Sequence, residues 1–378
     1  MPPPRCVRIE VVEGDVLSCT ADVLALKHAN GLFGADAAVH ARLVATLGAP
    51  PPLPEQTGAH RFVDSSGAIE AKRVLFVGVG PLGDFVYGPI RAFAARVLAV
   101  VADEAPLTRH VALTIHGPGF GLDEVEAFKA ELGGVADAVA AGRIAPALER
   151  VSFVERNSRR VRRLRDTLAQ LLPGGELQSV PLAAPAAGDG APGAQGPGTP
   201  ADLHPVLRPQ APRSPAPETA ALGDVLGGLS TVGSASSAKP HIFVAMPFAD
   251  EMSDTYHYGI QGAVNSAGYL CERADMASFT GDVIDWVKKR IADAQLVVAD
   301  LSTANANVYL EVGYAWGKGV PTVLLSKSQA DLKFDVKGQR CIVYTSIKHL
   351  EETLTRELRA LAAVAPRAGQ PNASSDRR

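Results

Sequence analysis

Between Gly174 and Lys239 the chain is dominated by Pro, Ala, Gly and Ser, as in the run PLAAPAAGDGAPGAQGPGTPADLHP. Such a segment cannot bury enough apolar area to offset the entropy of ordering it. The polypeptide is therefore expected to fold as two bodies, one on either side. This composition predicts a disordered, partly polyproline-like linker over 174–238, with a first domain over 1–173 and a second over 239–365. A disordered tail is expected over 366–378, and Thr219 to Leu229 is a possible short helix inside the linker. At 378 residues and 47% hydrophobic content, both flanks are long enough for cores of their own. A linker of this length predicts tethering rather than a rigid shared active site.

In the first flank, apolar runs that read as strands alternate with helical patterns. Strands are expected at Val7 to Val12, Val23 to Leu26, Arg73 to Gly78 and His110 to Ile115. Helices are expected at Ala37 to Leu47, Tyr87 to Ala102 and Asp123 to Leu132. That alternation predicts a mostly parallel sheet covered on both faces. Two strand-to-helix loops are rich in small residues, Gly31 to Asp36 and His116 to Gly121. Glycine lets backbone approach a ligand closely, and the N–H groups at a helix N-terminus favour an anion. Together with Asp15 after the first strand and Asn30 after the second, these loops suit a phosphate-bearing ligand.

In the second flank, His241 to Phe248 reads as a strand and turn and Tyr256 to Ala267 as a helix. Tyr269 to Arg273 reads as a short strand and Asp282 to Ala292 as a helix. The stretch ADAQLVVADLSTANANVYLEVGYAWGKG then supplies a buried strand (Leu296 to Ala299) that ends on Asp300. A polar loop with Asn305 and Asn307 follows, then an apolar helix around Glu311. In an open α/β sheet, ligands bind beyond the carboxyl ends of the strands, so Asp300, Asn305, Asn307 and Glu311 are expected at one crevice. A carboxyl among Tyr309, Leu310, Val312 and Tyr314 is open to a desolvation shift of its pKa. Asp285, in the first turns of the preceding helix, is either a dipole-favoured acidic residue or part of a site.

These motifs resemble the nucleoside 2-deoxyribosyltransferase and deoxynucleotide N-glycosidase family, and the bacterial TIR-like nucleotide-processing domains related to it. The resemblance rests on Asp300-Leu301-Ser302, Asn305-Ala306-Asn307-Val308 and Leu310-Glu311-Val312-Gly313-Tyr314-Ala315. His241 to Phe248, Phe334-Asp335 and Arg340 to Tyr344 add to it, so that it spans roughly His241 to Tyr344. Ala306 stands where proline is common and Leu310 where an aromatic is common. The resemblance implies a flavodoxin-like parallel sheet and cleavage or transfer at an N-glycosidic bond. Glu311 would stabilise or trap the ribosyl cation, and Asp285 would assist the departing base. Phe248 would stack on the base, Asn305 and Asn307 would hold the substrate, with Asn307 at a sugar hydroxyl or phosphate, and Asp300 would orient the Asn loop or, alternatively, contact the sugar. The logic parallels two-carboxylate glycosidases and calls for no metal and no cofactor. A homo-oligomer through this second domain is also expected.

The first flank resembles the macro domain and, more loosely, the macro-like N-terminal domain of leucine aminopeptidases. Gly14-Asp15-Val16 matches the Gly-Asp-Ile element, and His28-Ala29-Asn30 the end of the Asn-Ala-Ala-Asn element. Lys27 and His28 depart from the usual small residues. The resemblance implies an ADP-ribose-type ligand held by Asp15, Asn30, Gly34, Gly117, Gly119, Phe120 and Gly121. The expected fold class is thus two three-layer α/β/α domains. The expected function is a nucleotide-processing enzyme regulated by an ADP-ribose-type ligand, a pairing that resembles bacterial antiphage signalling systems. Two alternatives stay open: a non-catalytic nucleotide sensor, and a macro-domain ADP-ribosyl hydrolase.

A net charge of −3 gives no global drive toward nucleic acid or membrane, so a nucleic-acid partner is not expected. No apolar run approaches the ~20 residues of a membrane helix, and the start, MPPPRCVRIEVV, lacks a signal-peptide apolar region. Cys6, Cys19, Cys271 and Cys341 lack metal-site spacing. A cytoplasmic, reduced protein is expected. The basic run Arg156 to Arg165 reads as a solvated helix face or a phosphate contact, and sequence alone does not assign it.

Overall fold

The computed structural model describes residues 5–29, 31–81, 84–118, 121–179, 229, 232–233, 235–273, 283–329, 332, 336, 339 and 341–364. The described residues form two α/β units. The first sheet comprises β1 (Arg5–Glu13), β2 (Val23–His28), β3 (His60–Asp64), β4 (Arg73–Gly78), β5 (His110–Thr114), β6 (Arg150–Glu155) and β7 (Glu176–Ser179). Its order is β3-β4-β2-β5-β6-β1-β7. Only β3 and β7, at the two edges, run antiparallel to their neighbours.

Alternation of side chains along the central strands explains the layering. Val23 and Ala25 of β2 and Leu75 and Val77 of β4 share a core with α2 (Tyr87–Glu104), α3 (Glu124–Ala140) and α4 (Ser158–Leu171). Leu24, Leu26, Val74 and Phe76 point the other way, into a core closed by Val39 and Leu43 of α1 (Gly34–Leu47). Both faces of these strands are therefore apolar, as in a parallel sheet covered on both sides.

The second sheet comprises β8 (His241–Ala245), β9 (Leu270–Glu272), β10 (Leu296–Asp300), β11 (Thr322–Ser326) and β12 (Cys341–Val343). Its order is β12-β11-β10-β8-β9, and every pairing is parallel. Ile242, Val244 and Val298 pack against a π-helical segment (Thr255–Gln261), α5 (Gly262–Ser266) and α8 (Ile347–Val364). Phe243, Val297 and Ala299 face α6 (Val283–Asp293) and α7 (Ala306–Gly317). The expected class of two three-layer α/β/α units is what forms.

Several details depart from the sequence reading. The strands β3, β6, β7 and β11 were not expected, and β7 lies inside the segment assigned to the linker. Its short ELQS run pairs with the edge of β1, so tertiary pairing outweighs a composition poor in strand formers. The helix expected at Tyr256 to Ala267 begins as a π-helical segment. α3 runs on to Ala140 because Leu132, Val135, Ala136 and Val139 all find the core, which offsets Gly133 and Gly134. Most of the linker segment, Phe334-Asp335 and Arg340 lie outside the described residues.

The units are not merely tethered. Tyr87 of α2 donates its hydroxyl to Glu272 of β9 at 3.0 Å, and Arg290 of α6 pairs with the same carboxylate. The backbone N–H of Arg273 donates to the carbonyl of Gly121 at 2.9 Å. Gly121 has φ 84°, and a Cβ there would meet the Arg273 carbonyl oxygen at 3.0 Å. Leu270 of the second unit and Leu229 and Val232 join the first unit's core. Buried polar and apolar contacts thus seat the edge strand β9 on the first unit, where sequence reasoning expected two bodies free of each other.

Candidate functional site

Glu311 lies in the second turn of α7, whose Val308, Val312 and Ala315 are buried against the sheet. Its carboxyl is half-buried, and burial pushes its pKa up to about 7. The turn that leads into α7 is built by the residues expected around it. Asp300, fully buried at the end of β10, accepts from the backbone N–H of Ser302 at 2.9 Å and from the Tyr344 hydroxyl at 2.8 Å. Asn305 caps α7 by accepting from the N–H of Asn307 at 2.9 Å. Asp300 and Asn305 therefore shape the loop, while the Asn307 side chain is exposed beyond it. Both side chains are engaged within the turn, and for Asp300 this is the loop-orienting role expected beside a sugar contact.

Asp285 is turned largely to solvent. Its side chain is 81% exposed and pairs with Lys288, one turn along α6, at 3.5 Å. Among the described residues no contact joins it to Glu311.

Phe248 lies at the junction of the two units. It lines a cavity of about 700 Å³ whose floor is the first unit and whose rim includes the second. This volume is within the usual range for small-molecule sites. On the floor lie Asp15, Gly34 and Gly117. Asp15 caps the turn after β1 through the N–H of Leu17 at 2.9 Å. Gly34 opens α1 at φ 52°, and no side chain caps that helix, which leaves its first N–H groups to a ligand or to solvent. Gly117 adopts φ 100°. Of the other expected residues, Gly121 is engaged by the second unit, and Asn30, Gly119 and Phe120 lie outside the described residues.

Sequence reasoning missed several residues of this cavity. Lys27 and Asp36 form an ion pair at 2.6 Å, with side chains only 7% and 3% exposed, and both line the floor. The other oxygen of Asp36, Oδ1, has no hydrogen-bond partner among the described residues. Arg156, Arg160 and Arg163 line one wall, so three arginines of the basic run face the cavity. Arg160 and Arg163 are held by Glu124 at 2.8 Å each, and Arg160 also pairs with Glu155. Burial opposes the charge on Glu124, yet Arg163 and Arg160 hold its pKa below the usual range. Arg156 carries no ion pair among the described residues. His257 of the second unit also lines the cavity, and burial, then Arg163, push its pKa down to about 4. Its imidazole is neutral at physiological pH. The helical spacing of the arginines on α4 was a readable signal; the pairing of Lys27 with Asp36 was not.

No cluster of metal-binding side chains occurs among the described residues. No helix among them is long and apolar enough to cross a membrane.

No family model matches this chain, and no curated protein does. Among solved structures it is similar to a Trypanosoma brucei macrodomain in complex with ADP, at 18% identity over 43% of this chain and 69% of that one, with a TM-score of 0.34. An Oceanobacillus iheyensis macrodomain with MES bound is similar at 13% identity over 44% of this chain and 97% of that one, with a TM-score of 0.32. The Clostridium botulinum CMP N-glycosidase BcmB is similar at 16% identity over 31% of this chain and 98% of that one, with a TM-score of 0.27.

Proposed function

We propose that the second unit cleaves or transfers at the N-glycosidic bond of a nucleoside, nucleotide or NAD-like substrate, and that the first unit binds an ADP-ribose-type ligand. The observation that carries the reading is Glu311: a half-buried carboxyl with a pKa near 7, just beyond the carboxyl end of β10. In its ionised form such a group faces the positive charge that develops at the anomeric carbon as the bond to the base breaks. The bond's electron pair leaves with the base, and water or an acceptor hydroxyl adds to the sugar and gives up its proton. The exposure of Asp285 and its pairing with Lys288 favour a base that departs without protonation, such as nicotinamide from a cationic nucleoside. A role in antiphage signalling is consistent with a ligand-binding unit joined to such an effector.

One observation favours a second reading. The buried, partly unpartnered Asp36 in the first unit's cavity suits hydrolysis of an ADP-ribosyl linkage there. Incubating the full chain with NAD, deoxynucleosides, nucleotides and ADP-ribosylated protein, followed by chromatography, separates the two. Release of free base supports the first reading, and release of ADP-ribose from protein supports the second. No turnover of any of these leaves a nucleotide sensor.

A further inference from the structure

The cavity is lined by both units, and the polar groups left unengaged there describe the ligand that would complete it. On the first unit's side, Asp36 Oδ1 is buried with no hydrogen-bond partner among the described residues, and Arg156 has no ion pair among them. Arg160 and Arg163 are committed to Glu124.

On the second unit's side stands His257, in the π-helical segment. Its Nδ1 lies 3.1 Å from the amide oxygen of Gln261, one turn further along. An amide oxygen only accepts, so Nδ1 carries the ring proton. The charged groups that face the ring are Arg163, Glu124 and Arg273, and burial together with the two arginines outweighs Glu124, which keeps the imidazole neutral. Nε2 is therefore left with a lone pair. No group among the described residues donates to it. The Tyr256 ring packs edge-on against the imidazole, with centroids 4.8 Å apart, and helps to hold its plane.

Two acceptors that cannot donate, one from each unit, and a guanidinium without a counter-ion select a particular chemistry. Hydroxyl groups satisfy the acceptors and a phosphate satisfies the cation. A ligand made of acceptors alone would leave Asp36 and His257 desolvated and unpaired.

We infer that His257 of the second unit accepts a hydrogen bond from a sugar hydroxyl of a phosphorylated ribosyl ligand bound on the first unit, and so tunes that cavity to a hydroxylated ligand. The inference rests on the proposed nucleotide-binding role of the first unit and adds a specificity-determining residue from the other unit.

Calorimetric titration of the full chain with ADP-ribose tests this on the wild type, Asp15→Ala, His257→Phe and His257→Gln, with a thermal melt of each. Phenylalanine keeps a ring and removes the lone pair, whereas the glutamine carbonyl can accept from nearly the same place. His257→Phe is expected to bind about fivefold or more weakly, and His257→Gln to recover most of that loss. If Asp15→Ala weakens binding while His257→Phe binds like the wild type, the role of His257 is wrong and the first-unit reading stands. Equal losses in the two His257 variants would make the ring's shape, not its lone pair, the source of the effect and would overturn the inference too. Heteronuclear NMR of the wild-type histidine rings gives an independent readout: the expected result is a proton on Nδ1 of His257 and an Nε2 signal that moves when ADP-ribose binds. A proton on Nε2, or an Nε2 signal that the ligand leaves in place, contradicts the inference. If the wild type gives no binding heat and no ligand-induced rise in melting temperature, the nucleotide-binding reading falls and the role of His257 falls with it.

Discussion

The Asp123 carboxylate joins α3 to Cys271 in the other unit. One oxygen caps the helix through the N–H groups of Val125 and Glu126, at 3.1 and 3.0 Å, and the other accepts the backbone N–H of Cys271 at 3.0 Å. A helix cap and an inter-unit contact thus depend on one fully buried side chain.

That dual role predicts how a nicked chain behaves. Proteolysis within the Pro/Ala/Gly-rich segment should give two fragments that still migrate together in size exclusion, because β9 remains seated on the first unit. Asp123→Ala should lose both cap and contact, and its nicked fragments should separate. Wild-type fragments that separate at micromolar concentration would show that the docked surface contributes little.

Burial raises the Asp123 pKa to about 6, above the unfolded carboxyl value of 3.8. A raised pKa means that the folded state binds the proton more tightly, so this group's contribution to stability is fully present below about 3.8 and is lost as pH rises through about 6. The loss is on the order of 2–3 kcal/mol at about 1.4 kcal/mol per pKa unit. Asp123→Asn should remove this pH dependence, and the difference between urea unfolding curves of the two proteins from pH 4 to pH 7 measures it. Parallel pH dependence in the two would contradict the assignment.

Lys27 and Asp36 make a stability prediction of a different kind. Removing one member of a buried pair strands the other charge, at a cost of about 3–5 kcal/mol, whereas replacing both by apolar residues is often close to neutral. Lys27→Met should therefore destabilise the full chain strongly, and Lys27→Met with Asp36→Leu should recover most of the loss. Denaturant midpoints provide the check. Additive losses in the double variant would place the cost elsewhere.

The sequence made the layering of both sheets legible because Val, Leu and Ile runs of strand length alternate with helical periods, from Val23 and Arg73 to Leu296. The carboxyl ends of the strands then place Glu311, Asp300 and Asn305 together by topology alone. What could not be read were contacts made across more than a hundred positions. Tyr87 meets Glu272 over a separation of 185 residues, and Asp123 meets Cys271 over 148. No local pattern in either segment encodes its partner. For the same reason the place of Phe248 on the rim of a cavity shared with the first unit was not legible.

Asp285 sharpens the question of substrate. Exposed and paired with Lys288, it should matter little where the base leaves easily, so Asp285→Asn should change nicotinamide release less than about threefold. Release of adenine or hypoxanthine, where the wild type supports it, should change equally little, because an exposed carboxylate paired with Lys288 is poorly placed to protonate a departing base. Steady-state rates on both kinds of substrate decide it. A loss of about a hundredfold or more confined to adenine or hypoxanthine would make Asp285 a general acid despite its exposure.

The central claim is that Glu311 faces the reacting carbon as a carboxylate. Its pKa near 7 implies that kcat/KM rises as pH passes through about 7 and the group ionises. The most direct measurement is the turnover of Glu311→Gln, with a thermal melt alongside, on each substrate the wild type accepts. The amide keeps the shape but not the charge, so the melt should match the wild type while turnover falls by roughly 100-fold or more. A folded Glu311→Gln protein with wild-type turnover would contradict the catalytic role of this residue.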